Sequence, residues 1–166
     1  MRRKAAIVLA IVTALAVSAA AFDPKELPNP LANAKVGDWA LYDMSGRFQM
    51  RYTVVAVSDA SITLKMETYA NGESVFSREM EFPLGGDAPP AVPGMKEMPE
   101  DPPEPKYSKD KVTIDGKTLD CTLMEVTFDG KTTKTWISGD IPVQGLVKVE
   151  SEGAPMMTLL DWGRGD

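Results

Sequence analysis

The sequence predicts a mostly β domain, an antiparallel meander forming a curved sheet or half-barrel, with a proline-rich inserted loop. Three observations lead there. Apolar and polar residues alternate with period two in run after run, the pattern of strands with one buried face. Turn chemistry, including two Asp-Gly pairs, separates those runs at hairpin spacing. Little beyond the first twenty or so residues reads as helix, so about nine strands account for the remainder.

The elements follow in order. Val36-Gly-Asp-Trp-Ala-Leu-Tyr-Asp43 opens the domain. From Arg47 to Val57, Phe48, Met50, Tyr52 and Val54 share one face, and Arg47, Gln49, Arg51 and Thr53 share the other. From Ser61 to Tyr69, Ile62, Leu64 and Met66 alternate with Thr63, Lys65 and Glu67. From Glu73 to Phe82, Phe76, Met80 and Phe82 share a face that Arg78 interrupts. Met44-Ser-Gly46, Ser58-Asp-Ala60 and Ala70-Asn-Gly72 supply the turns, so these neighbours pair as hairpins.

Residues 83–106 break the pattern. Eight prolines lie there among glycines and acids, and proline lacks the amide donor a ladder needs. The stretch is expected to be an extended loop inserted between two parts of one sheet, and the main protease-sensitive segment. Strands resume at Lys111 to Ile114, Leu119 to Phe128, Thr132 to Ile137 and Gln144 to Ser151. Asp115-Gly116 and Asp129-Gly130 are the strongest hairpin signals. Gly153-Ala-Pro155 is expected to break the ladder before a last strand, Met156 to Trp162.

The N-terminus reads as an address. Met1-Arg-Arg-Lys4 is cationic, an apolar run extends from Ala5 to Leu15, and small residues lead to Ala19-x-Ala21. These are the three regions of a secretory signal, with cleavage before Phe22. The apolar run is short for a spanning helix, which needs about 20 residues, so no stable membrane span is expected after cleavage. The organisation is then a signal peptide at 1–21, a proline-marked lead-in at 22–35 with a short helical turn near Pro30 to Ala34, and a single β domain at 36–166. Ordinary Sec export places the chain in the periplasm or outside the cell.

Charge narrows the partners. The chain carries 18 basic and 24 acidic residues, a net charge of −6. Residues 1–21 hold three of the basic residues and no acidic ones, so removing them leaves 15 against 24, or −9. An acidic surface with no basic patch disfavours nucleic acid. The lone Cys121 has no internal disulfide partner, and in an oxidising compartment burial protects it.

No catalytic constellation stands out. The chain has no histidine, which removes Ser-His-Asp and Cys-His arrangements and the commonest metal ligand. Asp and Glu are scattered over turns and strand faces, and no phosphate-cradling glycine loop appears. The ten methionines, including Met95 and Met98 in the loop, read as adaptable apolar filling rather than a copper site. The Asp-Gly turns lack the spacing of a calcium loop. No cofactor, no metal and no enzymatic activity are expected.

Val36-Gly-Asp-Trp-Ala-Leu-Tyr42 resembles the first strand of many small exported bacterial proteins of unknown function. Trp136-Ile-Ser-Gly-Asp-Ile-Pro142, followed by Gly145-Leu-Val-Lys148, resembles their closing pattern. The layout is similar to the half-barrel of periplasmic lipoprotein carriers, the LolA-like group, over about a third of the mature chain. The resemblance implies a curved antiparallel sheet whose concave side receives acyl chains. The chain departs from the carriers in showing little of their covering helix and in its proline-rich insertion. Phe48, Met50, Tyr52, Leu64, Met66 and Trp136 are the candidate apolar face for a lipid or other greasy ligand. The expectation is thus an exported β-domain that binds such a ligand or a partner protein at the cell envelope; a purely structural or protein-interaction module is the alternative, and an unrecognised hydrolase ranks third.

Overall fold

A computed structural model describes residues 31, 33–84 and 103–165. The signal peptide, most of the lead-in and residues 85–102 of the proline-rich loop lie outside the described residues. The strands are β1 (Trp39–Met44), β2 (Phe48–Val57), β3 (Ser61–Ala70), β4 (Glu73–Pro83), β5 (Lys106–Ile114), β6 (Lys117–Phe128), β7 (Lys131–Ile137), β8 (Leu146–Ser151) and β9 (Ala154–Gly163). They form one open sheet in the order β4-β3-β2-β1-β9-β8-β7-β6-β5, antiparallel at every pairing. Two meanders therefore meet at a central β1–β9 seam. The strands on either side of the proline-rich loop, β4 and β5, are the two opposite edges of the sheet.

The hairpins follow from turn chemistry. Asn71-Gly72, Asp115-Gly116, Asp129-Gly130 and Glu152-Gly153 all have positive φ at both positions. That backbone twist matches right-twisted strands, and it is why Asp-Gly and Asn-Gly suit two-residue loops. Five of the eight pairings also contain a register shift. Such bulges increase local twist and bend the sheet. The curl brings β5 to within 8 Å (Cα–Cα) of β9, although three strands separate them in the sheet. The Lys117 ammonium accordingly lies 4.7 Å from the centroid of the Trp162 ring.

Several boundaries differ from the sequence expectation; β8, for one, begins at Leu146, because Gln144 is held in a turn on Pro142. β5 begins at Lys106, not Lys111. As an edge strand it takes partners on one side only, so its first half can be polar. Pro155 lies inside β9 and pairs with Glu150 rather than breaking the ladder. The register shift between Val149 and Glu150 falls at this point, and bulges are one of the few places where a sheet tolerates proline. In the lead-in, the Ala34 amide donates to the Leu31 carbonyl at 3.2 Å, forming a turn.

The core lies on the concave side. Ala40, Tyr42, Met50, Tyr52, Val54, Ile62 and Leu64 come from β1 to β3, and Met157 and Leu159 from β9. The β7–β8 connection completes it: Ile141, Pro142 and Val143 are fully buried, so this loop packs into the same core as a plug. The plug is held by Ser138 N donating to Gly145 O at 2.8 Å, and by Gln144 N donating to Pro142 O at 2.9 Å. The second bond closes a three-residue turn with Val143 at φ +73°. A β-branched residue rarely adopts that conformation, which costs of order 1–3 kcal/mol. Full burial of the Ile141 and Val143 side chains, each stabilising by about 1.5–3 kcal/mol, offsets it.

Candidate functional site

The six residues of the predicted apolar face do not share one environment. Met50, Tyr52 and Leu64 are buried in the core beneath the plug. The Tyr52 hydroxyl lies 2.7 Å from the Met50 sulfur, and its ring meets Tyr42 edge-on at 6.0 Å. The Tyr42 hydroxyl donates to the Leu146 carbonyl at 3.2 Å, tying β1 to the end of the plug loop. Burial pushes the Tyr52 hydroxyl up to about 12 and raises Tyr42 further. Phe48 and Met66 are only partly buried, at the margin of the same core.

Trp136 is elsewhere. It belongs to the contiguous core, but its indole N–H donates to Asp110 Oδ2 on β5 at 2.7 Å, and the Lys148 ammonium lies 5.1 Å from its ring centroid. The indole donor, joined by the Lys111 amide at 2.8 Å, holds the Asp110 carboxyl below the usual aspartate range. Beside it lies a cleft of about 650 Å³ lined by Lys109, Asp110, Lys111, Asp120, Cys121, Thr122, Ile137 and Gly139. Its polar groups engage one another. Lys109 Nζ donates to Thr122 Oγ1 at 3.1 Å, and Lys111 pairs with Asp120 at 3.0 Å. Cys121 is a buried free thiol whose ionisation burial opposes.

Partly covered apolar residues flank the core on both halves of the sheet, Val112, Ile114 and Leu123 on one side and Phe48, Met66, Met80 and Phe82 on the wing made by β2, β3 and β4. Directly opposed residues share a face, so the register defines its rows. Met50 faces Thr68, which faces Phe76; Tyr52 faces Met66, which faces Arg78; Leu64 faces Met80; Ile62 faces Phe82. Moving outward along each row, burial declines. Met50, Tyr52, Leu64 and Ile62 are sealed, Met66, Met80 and Phe82 are partly covered, and Phe76 at the free edge is 49% exposed. Sequence reading found Phe48 and Met66 here. The alternation puts Phe76, Met80 and Phe82 on one face, and only the β3–β4 register joins that face to the one holding Met66.

The outer face of the wing is polar and internally paired. Lys65 bridges Glu67 at 2.9 Å and stands opposite Glu79, and the Arg51 guanidinium lies 4.4 Å from the centroid of the Trp39 ring. Among the described residues, no group of three or more His, Cys, Asp or Glu could hold a metal ion, and no helix is long and apolar enough to cross a membrane. No protein-family model and no curated protein sequence matches the chain.

Proposed function

We propose that the chain is an exported, non-enzymatic β-domain that binds a hydrophobic ligand at the cell envelope, on the concave face of its β2–β4 wing. The observation that carries this reading is the outward gradient of burial. Met66, Phe76, Met80 and Phe82, with Phe48 at the far end of the wing, form an apolar surface around Arg78 beyond the buried core residues. Such surfaces mark interaction sites, and flexible methionines adapt to apolar ligands of varied shape. Export rests on residues 1–21, and the resemblance to lipoprotein carriers is compatible with an acyl ligand.

Solvent extraction of the protein purified without residues 1–21, followed by mass spectrometry, tests the reading. A co-purifying lipid, lost in Met80→Asp, is expected. Absence of any lipid, together with no binding of a fluorescent fatty acid, would remove it.

A protein partner is the second reading, favoured by one feature. β4 is an 11-residue edge strand whose Val75 and Phe76 are exposed. An extended segment of another chain could add to it as a further strand. Protection of β4 amides from hydrogen exchange by a partner but not by lipid would select this reading.

A further inference from the structure

Two charges lie on the concave face of the wing: Glu73, opposite Ala70 at the hairpin end, and a cation set among the apolar residues themselves. Arg78 stands directly opposite Met66 on the concave face, between Phe76 and Met80 along β4. Among the described residues it makes no ion pair. The neighbouring carboxylates alternate to the other side of the strand. Glu79 stands opposite Lys65, Glu81 accepts the Ser61 hydroxyl, and Glu67 takes the Lys65 ammonium. Every other charged group on β2 and β3 of this wing, Arg51, Lys65 and Glu67, has its partner on the convex face.

A guanidinium is a planar fork of five donors that binds carboxylates in bidentate fashion. Here that fork is set in a partly open row of methionine and phenylalanine. From these positions we infer that the wing selects an anionic amphiphile with a single acyl chain, a fatty-acid carboxylate. The carboxylate is held by Arg78 at the rim, and the chain runs along the wing over Met66 and Met80 toward Phe82. The inference rests on the apolar-ligand reading and adds to it a charge requirement. It also accounts for the cation itself, because a purely apolar ligand would gain nothing from an arginine in its seat.

Three probes of equal chain length separate the two claims: dodecanoate, 1-dodecanol and dodecyltrimethylammonium, each below its micelle concentration, titrated into the chain lacking residues 1–21. Dodecanoate is expected to bind about tenfold or more tightly than the alcohol, the cation most weakly. Arg78→Gln should abolish the preference for the carboxylate, and Arg78→Glu should turn it toward the cation. Met66→Glu, which sets a carboxylate opposite an intact Arg78, should lose dodecanoate as Arg78→Gln does. Arg78 is exposed, so an unchanged urea midpoint is expected and verifies folding.

Equal binding of all three probes, or a preference that survives Arg78→Gln, overturns the charge requirement and leaves the apolar reading standing. Failure of every probe to bind overturns both. A dimer in solution that binds none of them assigns the face to a second copy and equally overturns the inference.

Discussion

The Asp38 carboxylate accepts the Gly165 amide at 2.7 Å across 127 residues of chain. Its other oxygen accepts the Lys35 amide at 3.0 Å and faces the Arg164 guanidinium at 3.5 Å. The Asp38 carbonyl in turn accepts Val54 N at 2.8 Å. One fully buried acid thus fastens the start of the domain to β2 and to the chain's end, beside the β1–β9 seam. The Val36-Gly-Asp-Trp39 motif is this clasp.

Replacing Asp38 with Ala is expected to destabilise the domain by about 1–3 kcal/mol, because two half-buried amides lose a charged acceptor. Arg164→Ala should cost less than about 1 kcal/mol, since its side chain is half exposed and the amides still satisfy the carboxylate. Urea unfolding of both variants checks the ordering. Equal losses would mean that the ion pair, rather than the amide bonds, holds the clasp.

Gly165 is close-packed for the same reason. A Cβ there would run into the Val36 carbonyl, which is backbone and cannot swing aside. At Gly46 a Cβ meets nothing, and only the left-handed φ of +67° resists it. Gly165→Ala should therefore lower the melting temperature more than Gly46→Ala, whose cost is about 1 kcal/mol. The reverse ranking by calorimetry would contradict the clasp geometry.

The buried tyrosines predict an alkaline limit. Tyr42 and Tyr52 ionise less readily when folded than when unfolded. Their contribution is fully present below the ordinary tyrosine value near 10 and is lost as pH rises from there through the folded values, about 12 for Tyr52. Stability measured from pH 9 to 12 should fall, and less steeply in Tyr52→Phe. Absorbance titration should show two of the four tyrosines ionising late. Four tyrosines titrating together in the folded protein would refute this.

Cys121 should resist alkylation. Its thiol is buried, and burial raises its pKa, so the reactive thiolate is scarce and inaccessible. Iodoacetamide labelling followed by mass is expected to be slow in buffer and to accelerate with urea, tracking unfolding. Rapid labelling that urea leaves unchanged would place the thiol at the surface.

Local chemistry was legible in the residues themselves. Alternation over Phe48–Val54 and Ile62–Met66 marked buried faces that the structure places in or beside the core. The Asp-Gly pairs marked hairpins because few residues adopt positive φ at two successive positions. The first half of β5 was not legible, because Lys106 to Asp110 is polar and an edge strand needs no second apolar signal.

By itself, then, the sequence determined the strands, their hairpin pairing and the face each presents, since these depend on near neighbours and on a period of two. Only the tertiary structure decided which parts of those faces remain available. Pairing β1 with β9 set the two halves side by side, and the β7–β8 loop packed Ile141 and Val143 into the core. On the wing, apolar surface was left at Met66, Phe76 and Met80 around Arg78. Burial of that kind depends on contacts between residues distant in sequence, which no local pattern encodes.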